Sequence, residues 1–265
     1  MIAEQISQRA SLEGSVDTDE WEARVNLAAF YRLVAHYGMS DLIYNHILLR
    51  IPGPQVHFLV NPYGLMYEEI TASSLHRIDL DGNIVRAGNA APDFNKAGFV
   101  IHSAIHGARE DLVCVAHTHT TDGVAVSAME CGLLPISQTA LTFAENLTYH
   151  EFEGFAIDKA ERARLVADLG SRDNVILRNH GLLCCGRTIG QAFYHLYHLE
   201  MCCRAQVKAL SGAGPVHPVS AAARAATVDV YEAMREGNNG FRQSGNVEWA
   251  AALRLADRLD PGFRR

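Results

Sequence analysis

The run Val113-Cys114-Val115-Ala116-His117-Thr118-His119 constrains this chain more than any other segment. It is apolar until its end, then carries two histidines one residue apart. In a strand every second side chain points to the same face. His117 and His119 therefore stand side by side, within reach of one cation. Sixty-one residues after His119 a second apolar run, Asn174-Val175-Ile176-Leu177-Arg178, ends in Asn179-His180-Gly181. A third imidazole arriving from another strand makes a three-nitrogen site with coordination positions open, the pattern of a catalytic rather than a structural metal. The alternative from spacing alone is two half-buried strand histidines and a hairpin histidine, each satisfied by hydrogen bonds.

Composition narrows the class. The 265 residues suffice for one large domain or two small ones. A net charge of -7 argues against nucleic acid or an anionic membrane surface as partner, since both want a basic face. The N-terminus has neither a basic nor an apolar signal region, and no stretch is long enough to span a bilayer. The cysteines 114, 131, 184, 185, 202 and 203 include two adjacent pairs and no Cys-x-x-Cys spacing. They read as small buried hydrophobes of a reducing compartment, and the expectation is a cytoplasmic protein.

Along the chain, residues 1–18 are polar and expected to be loose. Glu20 to Tyr37 has apolar residues at helical spacing, with an Asp-Thr-Asp lead-in and Gly38 as a stop. Residues 43–50 and 56–60 read as strands around Pro52-Gly53-Pro54, and Asp81-Gly82-Asn83 as a hairpin. A helix is predicted over 96–109, then the His117 strand, a helix over 121–131, strands near 136–143 and 147–153, and a helix over 159–169. The His180 strand continues through Gly186, followed by a long helix from Ile189 to Leu210. Two weaker helical patches, 219–236 and 246–258, follow. The expected organisation is a loose segment 1–18, a domain over 19–212 and a peripheral helical tail over 213–265.

In order, the early helix, Tyr44-Asn45-His46-Ile47, Asn61-Pro62-Tyr63-Gly64, Asp79-Leu80-Asp81-Gly82, His102-x-x-Ile105-His106, His117-Thr118-His119, Pro135-Ile136-Ser137 and Arg178-Asn179-His180-Gly181 resemble the class II aldolase/adducin family. The resemblance covers roughly residues 20–210. It implies an α/β fold, three-layer α/β/α, around a large and mostly antiparallel sheet. It also implies one divalent metal ion per chain held by His117, His119 and His180, and a homo-oligomer, commonly a tetramer with sites at subunit boundaries.

Departures from the family pattern are as informative. Its sugar-phosphate aldolases place a glutamate nineteen residues before the first metal histidine; here 117 − 19 lands on Gly98. The serine pair that grips phosphate is Lys96-Ala97, and the Gly-Asn-x-Ser turn is Tyr44-Asn45-His46-Ile47, keeping only Asn45. The tyrosine used as proton donor is replaced in the Gln138-Thr139 region. A sugar-phosphate aldolase is thereby disfavoured, and the resemblance shifts to the adducin-like branch and to relatives that act on non-phosphorylated carboxylates.

Gly98 is expected to open a hole beside the metal. His102, four residues on, shares its helical face and is a candidate proton carrier, fourth ligand or supporting donor. His106 is expected in the core or an interface. Arg178 is a candidate carboxylate clamp or a surface ion pair, and Tyr149, with His150 and Glu151, a candidate acid or an ordinary edge strand. His195 and His198 are expected to pack. Three neutral imidazoles leave a cation its full charge, suited to chelating a carboxylate and an adjacent oxygen. Zinc, manganese, cobalt and iron all accept such ligands. The leading expectation is a metal-dependent carbon–carbon lyase, of aldolase or decarboxylase type, on a small-molecule hydroxy- or oxo-carboxylate. The rivals are an iron oxygenase on the same scaffold and a non-catalytic adducin-like module. Residues 209–265 hold no lysine, unlike the Lys-rich tail with which adducin binds partners, and this favours the enzyme.

Overall fold

Strands in this chain are short and apolar on both faces, so each needs cover on two sides. The computed structural model, which describes residues 10–90, 93–154, 159–212, 214–237 and 245–265, provides it. Eight strands form one sheet: β1 (His46–Arg50), β2 (His57–Val60), β3 (His76–Asp79), β4 (Ile84–Arg86), β5 (Cys114–Thr118), β6 (Leu147–His150), β7 (Asn174–Leu177) and β8 (Gly181–Gly186). Their order is β4-β3-β2-β1-β5-β8-β7-β6, antiparallel throughout except for the β6–β7 pair. This is the expected α/β fold with a large, mostly antiparallel sheet.

Seven α-helices accompany the sheet among the described residues: α1 (Thr18–His36), α2 (Lys96–Ala108), α3 (Thr121–Ser127), α4 (Lys159–Leu169), α5 (Ile189–Leu210), α6 (Ala221–Glu236) and α7 (Asn246–Leu259). Alternation along β5 sorts the layers. Cys114 and Ala116 join a core with Leu27 and Phe30 of α1 and Leu196 and Leu199 of α5. Val115 joins the opposite core with Ile101 and Ile105 of α2 and Leu165 of α4. His117 follows the parity of Val115 and so faces the α2 side.

Local chemistry sets the ends of the elements. The Asp17 carboxylate accepts from the Glu20 N–H at 2.8 Å and caps α1, and Gly38, at φ +64°, follows its end. The buried Tyr31 hydroxyl of α1 accepts from the Ile47 N–H at 2.8 Å and pins the start of β1 beside His46. Burial raises the Tyr31 pKa, so the phenol stays neutral in this role.

The structure corrects several sequence-based boundaries. Residues 136–143 form no strand; Thr139–Phe143 is a 3-10 turn, because the Ser137 hydroxyl accepts from the Ala140 N–H at 3.1 Å and closes the chain locally. The helix expected over 121–131 ends at Ser127, and the strand expected to 153 ends at His150. The C-terminal segment is not uniformly peripheral. Trp249, Ala252 and Ala256 of α7, with Phe263, are buried in the main core, whereas α6 buries no residue. Residues 1–9 of the expected loose segment, and residue 213 at the expected boundary, lie outside the described residues. Five cysteines are buried and unbridged, but Cys131 is exposed. Among the described residues no helix is long and apolar enough to cross a membrane.

Candidate metal centre

The C-terminal end of β5, the turn between β7 and β8 and the start of β1 meet at one end of the central strands. His117 sits opposite His46 of β1 on one side and Leu183 of β8 on the other. His119 follows one residue past β5. His180 lies in the turn Arg178-Asn179-His180, where Asn179 takes φ +54° and the His180 N–H donates to the Leu177 carbonyl at 3.1 Å. Asparagine is among the few side chains that tolerate this conformation. Gly181 then presses against β5: a Cβ there would stand 2.3 Å from the Thr118 carbonyl oxygen, so a side chain would push β8 away. The turn and the close strand contact aim the His180 ring back across the end of β5.

The three imidazoles converge. His117 Nε2 lies 2.7 Å from His119 Nε2, which lies 3.0 Å from His180 Nε2, and the three nitrogens fall within 4.8 Å of one another. Their outer nitrogens decide what the inner ones carry. His117 Nδ1 is 2.8 Å from the Leu182 carbonyl oxygen, which can only accept, so Nδ1 bears the proton and Nε2 is bare when the ring is neutral. His119 Nδ1 is 3.1 Å from Asp41 Oδ2, and the same reasoning leaves its Nε2 bare when the carboxylate is ionised. Two lone pairs would then face each other at 2.7 Å, a repulsion that a shared proton or a bound metal ion relieves. Burial, followed by the neighbouring imidazoles His119, His180 and His46, lowers the His117 pKa well below the usual value. Burial and His119 push His180 down to about 4. Neutral rings are what a metal requires of imidazole. The residues therefore fit a divalent ion held by His117, His119 and His180.

Around this trio the structure departs from expectation. Gly98 opens no hole. A Cβ on Gly98 would meet His46 Nε2 at 1.7 Å, so the space is filled by the His46 ring arriving from β1. His46 is buried, its ring centroid 5.5 Å from that of His117, and its Nδ1 lies 2.6 Å from His102 Nε2. Burial pushes His46 down to about 3 and lowers His102 well below the usual value. His102 is wholly buried behind His46 rather than at the trio, and its Nδ1 has no hydrogen-bond partner. His106 lies one turn further inside, against Phe58, with its Nδ1 donating to the Leu112 carbonyl at 3.1 Å.

Arg178 lines a small cavity with His180, yet its guanidinium donates to the Met129 carbonyl at 2.7 Å and stacks 4.2 Å above the Tyr149 ring. The Tyr149 hydroxyl accepts from the Leu133 N–H at 2.9 Å. Both polar heads are thus engaged within the fold. His150 pairs with Asp168 at 2.7 Å, and Glu151 is exposed. His195 lies outside the trio; its Nδ1–H donates to the Cys185 carbonyl at 2.8 Å, and His198 packs on Tyr194.

Two residues at the centre escaped the sequence reading. His46 was visible only as a departure from a glycine-bearing turn, and its role follows from antiparallel register with His117. Asp41 lies 78 residues before His119 and left no motif; only the fold joins them.

Comparison with known proteins identifies the family. The family model described as "Class II Aldolase and Adducin N-terminal domain" matches residues 25–207. A protein of Caulobacter vibrioides that carries the name of an aldolase class 2 protein is 46% identical over 255 residues, covering 96% of each chain. Alpha-adducin of Rattus norvegicus is 41% identical over 263 residues, covering 97% of this chain but only 35% of the adducin. The crystal structure of an aldolase II superfamily protein from Pseudomonas syringae superposes with a TM-score of 0.89 at 43% identity, covering 97% of this chain and 100% of that one.

Proposed function

The chain belongs to the class II aldolase and adducin family, and from that premise we propose that it is a divalent-metal-dependent carbon–carbon lyase, of decarboxylase or aldolase type, acting on a non-phosphorylated hydroxy- or oxo-carboxylate. One observation carries the reading: three imidazoles whose inner nitrogens converge while the outer nitrogens of two of them are engaged by a carbonyl and a carboxylate. A packing role for these histidines would not require inner nitrogens aimed at one point.

When bound, the ion would supply a Lewis acid that polarises the substrate's oxygens and offsets negative charge left by a breaking C–C bond. His117, His119 and His180 would hold it, and because imidazole binds a metal as the neutral ring, the ion's charge would be available to an anionic substrate. His46 and Gly98 shape the wall on the α2 side. Gly98 admits the His46 ring, and no carboxylate enters the centre from that helix position. Sugar phosphates are disfavoured because the positions that would grip phosphate are Lys96-Ala97 and Tyr44-Asn45-His46-Ile47. The cation identity, zinc among the options, and a cytoplasmic homotetramer with sites near subunit boundaries are parts of the same proposal, supported by the resemblance.

Purified protein should contain close to one transition metal per chain. A screen of 2-oxo, 2-hydroxy and hydroxy-aromatic acids, monitoring both CO₂ and aldehyde without oxygen, should then find turnover that a chelator removes. Turnover only with iron(II) and oxygen would replace the lyase by an oxygenase. A metal-free protein inert to every acid would leave an adducin-like binding module.

A further inference from the structure

We propose that Asp41, presented by a strained turn before β1, is a positioning residue for the metal centre: it orients His119 and fixes its tautomer, so that the ion is bound through a carboxylate–histidine pair. The inference rests on the metal reading above and adds to it a residue outside the three ligands.

Asp41 Oδ2 lies 3.1 Å from His119 Nδ1, on the side of the ring away from the His117 and His180 nitrogens. One imidazole cannot offer the same edge to a carboxylate and to a cation, so Asp41 acts through His119 and does not share the ion. A carboxylate behind a ligating histidine fixes the tautomer, holds the ring plane and increases electron donation through the inner nitrogen. His117 receives the equivalent support from the Leu182 carbonyl. The His180 ring is flanked by Phe152, with centroids 6.4 Å apart. Of the two hydrogen-bonded supports, a carbonyl behind His117 and a carboxylate behind His119, that of His119 comes from an acidic side chain.

The backbone indicates that this contact is built. Leu42, immediately after Asp41, has φ +46°, a left-handed conformation unusual for a branched side chain. Its side chain is 61% exposed, so no buried packing of Leu42 holds it there. The turn is closed by the Tyr44 N–H donating to the Asp41 carbonyl at 2.9 Å, and it leads directly into β1 and His46. The left-handed residue reverses the chain so that the Asp41 carboxylate points over the end of β5. Local strain that packing does not explain, next to a cluster of candidate ligands, points to a functional contact.

The test uses cobalt(II) as probe, titrated into the purified apo protein in competition with a chromophoric chelator, with the visible spectrum of the bound ion as a second readout. Asp41→Ala should weaken cobalt binding by about 10- to 100-fold and alter its spectrum, with the apo melting temperature shifted by no more than about 2 °C. Asp41→Asn, whose amide oxygen still accepts, should fall between Asp41→Ala and wild type. Leu42→Gly, which adopts the turn freely, should bind as wild type does. Leu42→Pro, which forbids positive φ, should reproduce the Asp41→Ala loss; if it unfolds the apo protein, the two Asp41 variants decide alone. Equal affinity and spectrum in wild type and Asp41→Ala would overturn the role of Asp41 and leave the metal reading standing. Absence of cobalt binding by wild type would overturn both.

Discussion

Two groups of histidines lie within one molecule, and they differ in what their nitrogens face. At one end of the central strands His117, His119 and His180 turn ring nitrogens toward a common point. On the α2 side His102 and His106 are buried, more deeply than His119 and His180, and each leaves one ring nitrogen with no partner, His102 Nδ1 and His106 Nε2. Burial lowers the pKa in both groups, so a shifted histidine does not by itself mark a centre. Convergence of donors on one point separates the candidate ligands from the core. His46 stands between the groups, touching His117 on one side and His102 on the other.

Several measurements would break or sharpen this contrast. The largest effect is expected for His117→Ala or His180→Ala, which should reduce bound metal from about one per chain to background by elemental analysis. For His117→Ala the apo protein should lose only about 1–3 kcal/mol in denaturant unfolding, from the orphaned Leu182 carbonyl. Retention of stoichiometric metal would erase the distinction between the groups. Gly98→Ala comes next. Its new methyl collides with the His46 ring, which is held by His102, so a cost of about 1–3 kcal/mol is expected. In a His46→Ala background that cost should shrink markedly, and a double-mutant cycle reads the difference. An additive pair would mean that the His46 ring does not fill the Gly98 space.

Within the interior pair, His106 offers a test by pH. Burial pushes its pKa to about 3 in the folded chain, against about 6.5 when unfolded. Below about pH 6.5 the unfolded chain takes up the proton while the folded one does not. Stability is therefore full above that pH and lost as pH falls toward 3. The loss amounts to at most ~1.4 kcal/mol per pH unit from this group. His106→Phe should flatten the acid limb of an apo unfolding series by about that slope and leave metal content unchanged. An unaltered limb would show that His106 is not the proton-excluding group.

Much of the centre could be read from the chain because two of its ligands share a strand face. His117 and His119 follow from the period of a strand, and His180 from an apolar run ending in a turn. The helices over 159–169 and 189–210 were legible for similar reasons, since periodicity and capping residues act locally. Asp41 and His46 were not. Their roles depend on a left-handed turn and on the register between β1 and β5, which no local pattern encodes. The turn over Thr139–Phe143 was misread as a strand because a serine hydroxyl closed the backbone on itself. The C-terminal helix α7 was taken as peripheral because its burial rests on Trp249 and Phe263 meeting α1 and α5 from far along the chain.

The close approach of Gly181 to the Thr118 carbonyl has a consequence for how the ion arrives. Since β8 is seated on β5 by backbone alone, the spacing between the two carriers of the ligands is decided during folding. A cation held there would enter a receptacle that already exists, unlike a zinc finger, whose peptide organises only around its metal. Stripping with a chelator and reloading with another divalent ion should therefore proceed reversibly, without the chain passing through an unfolded state.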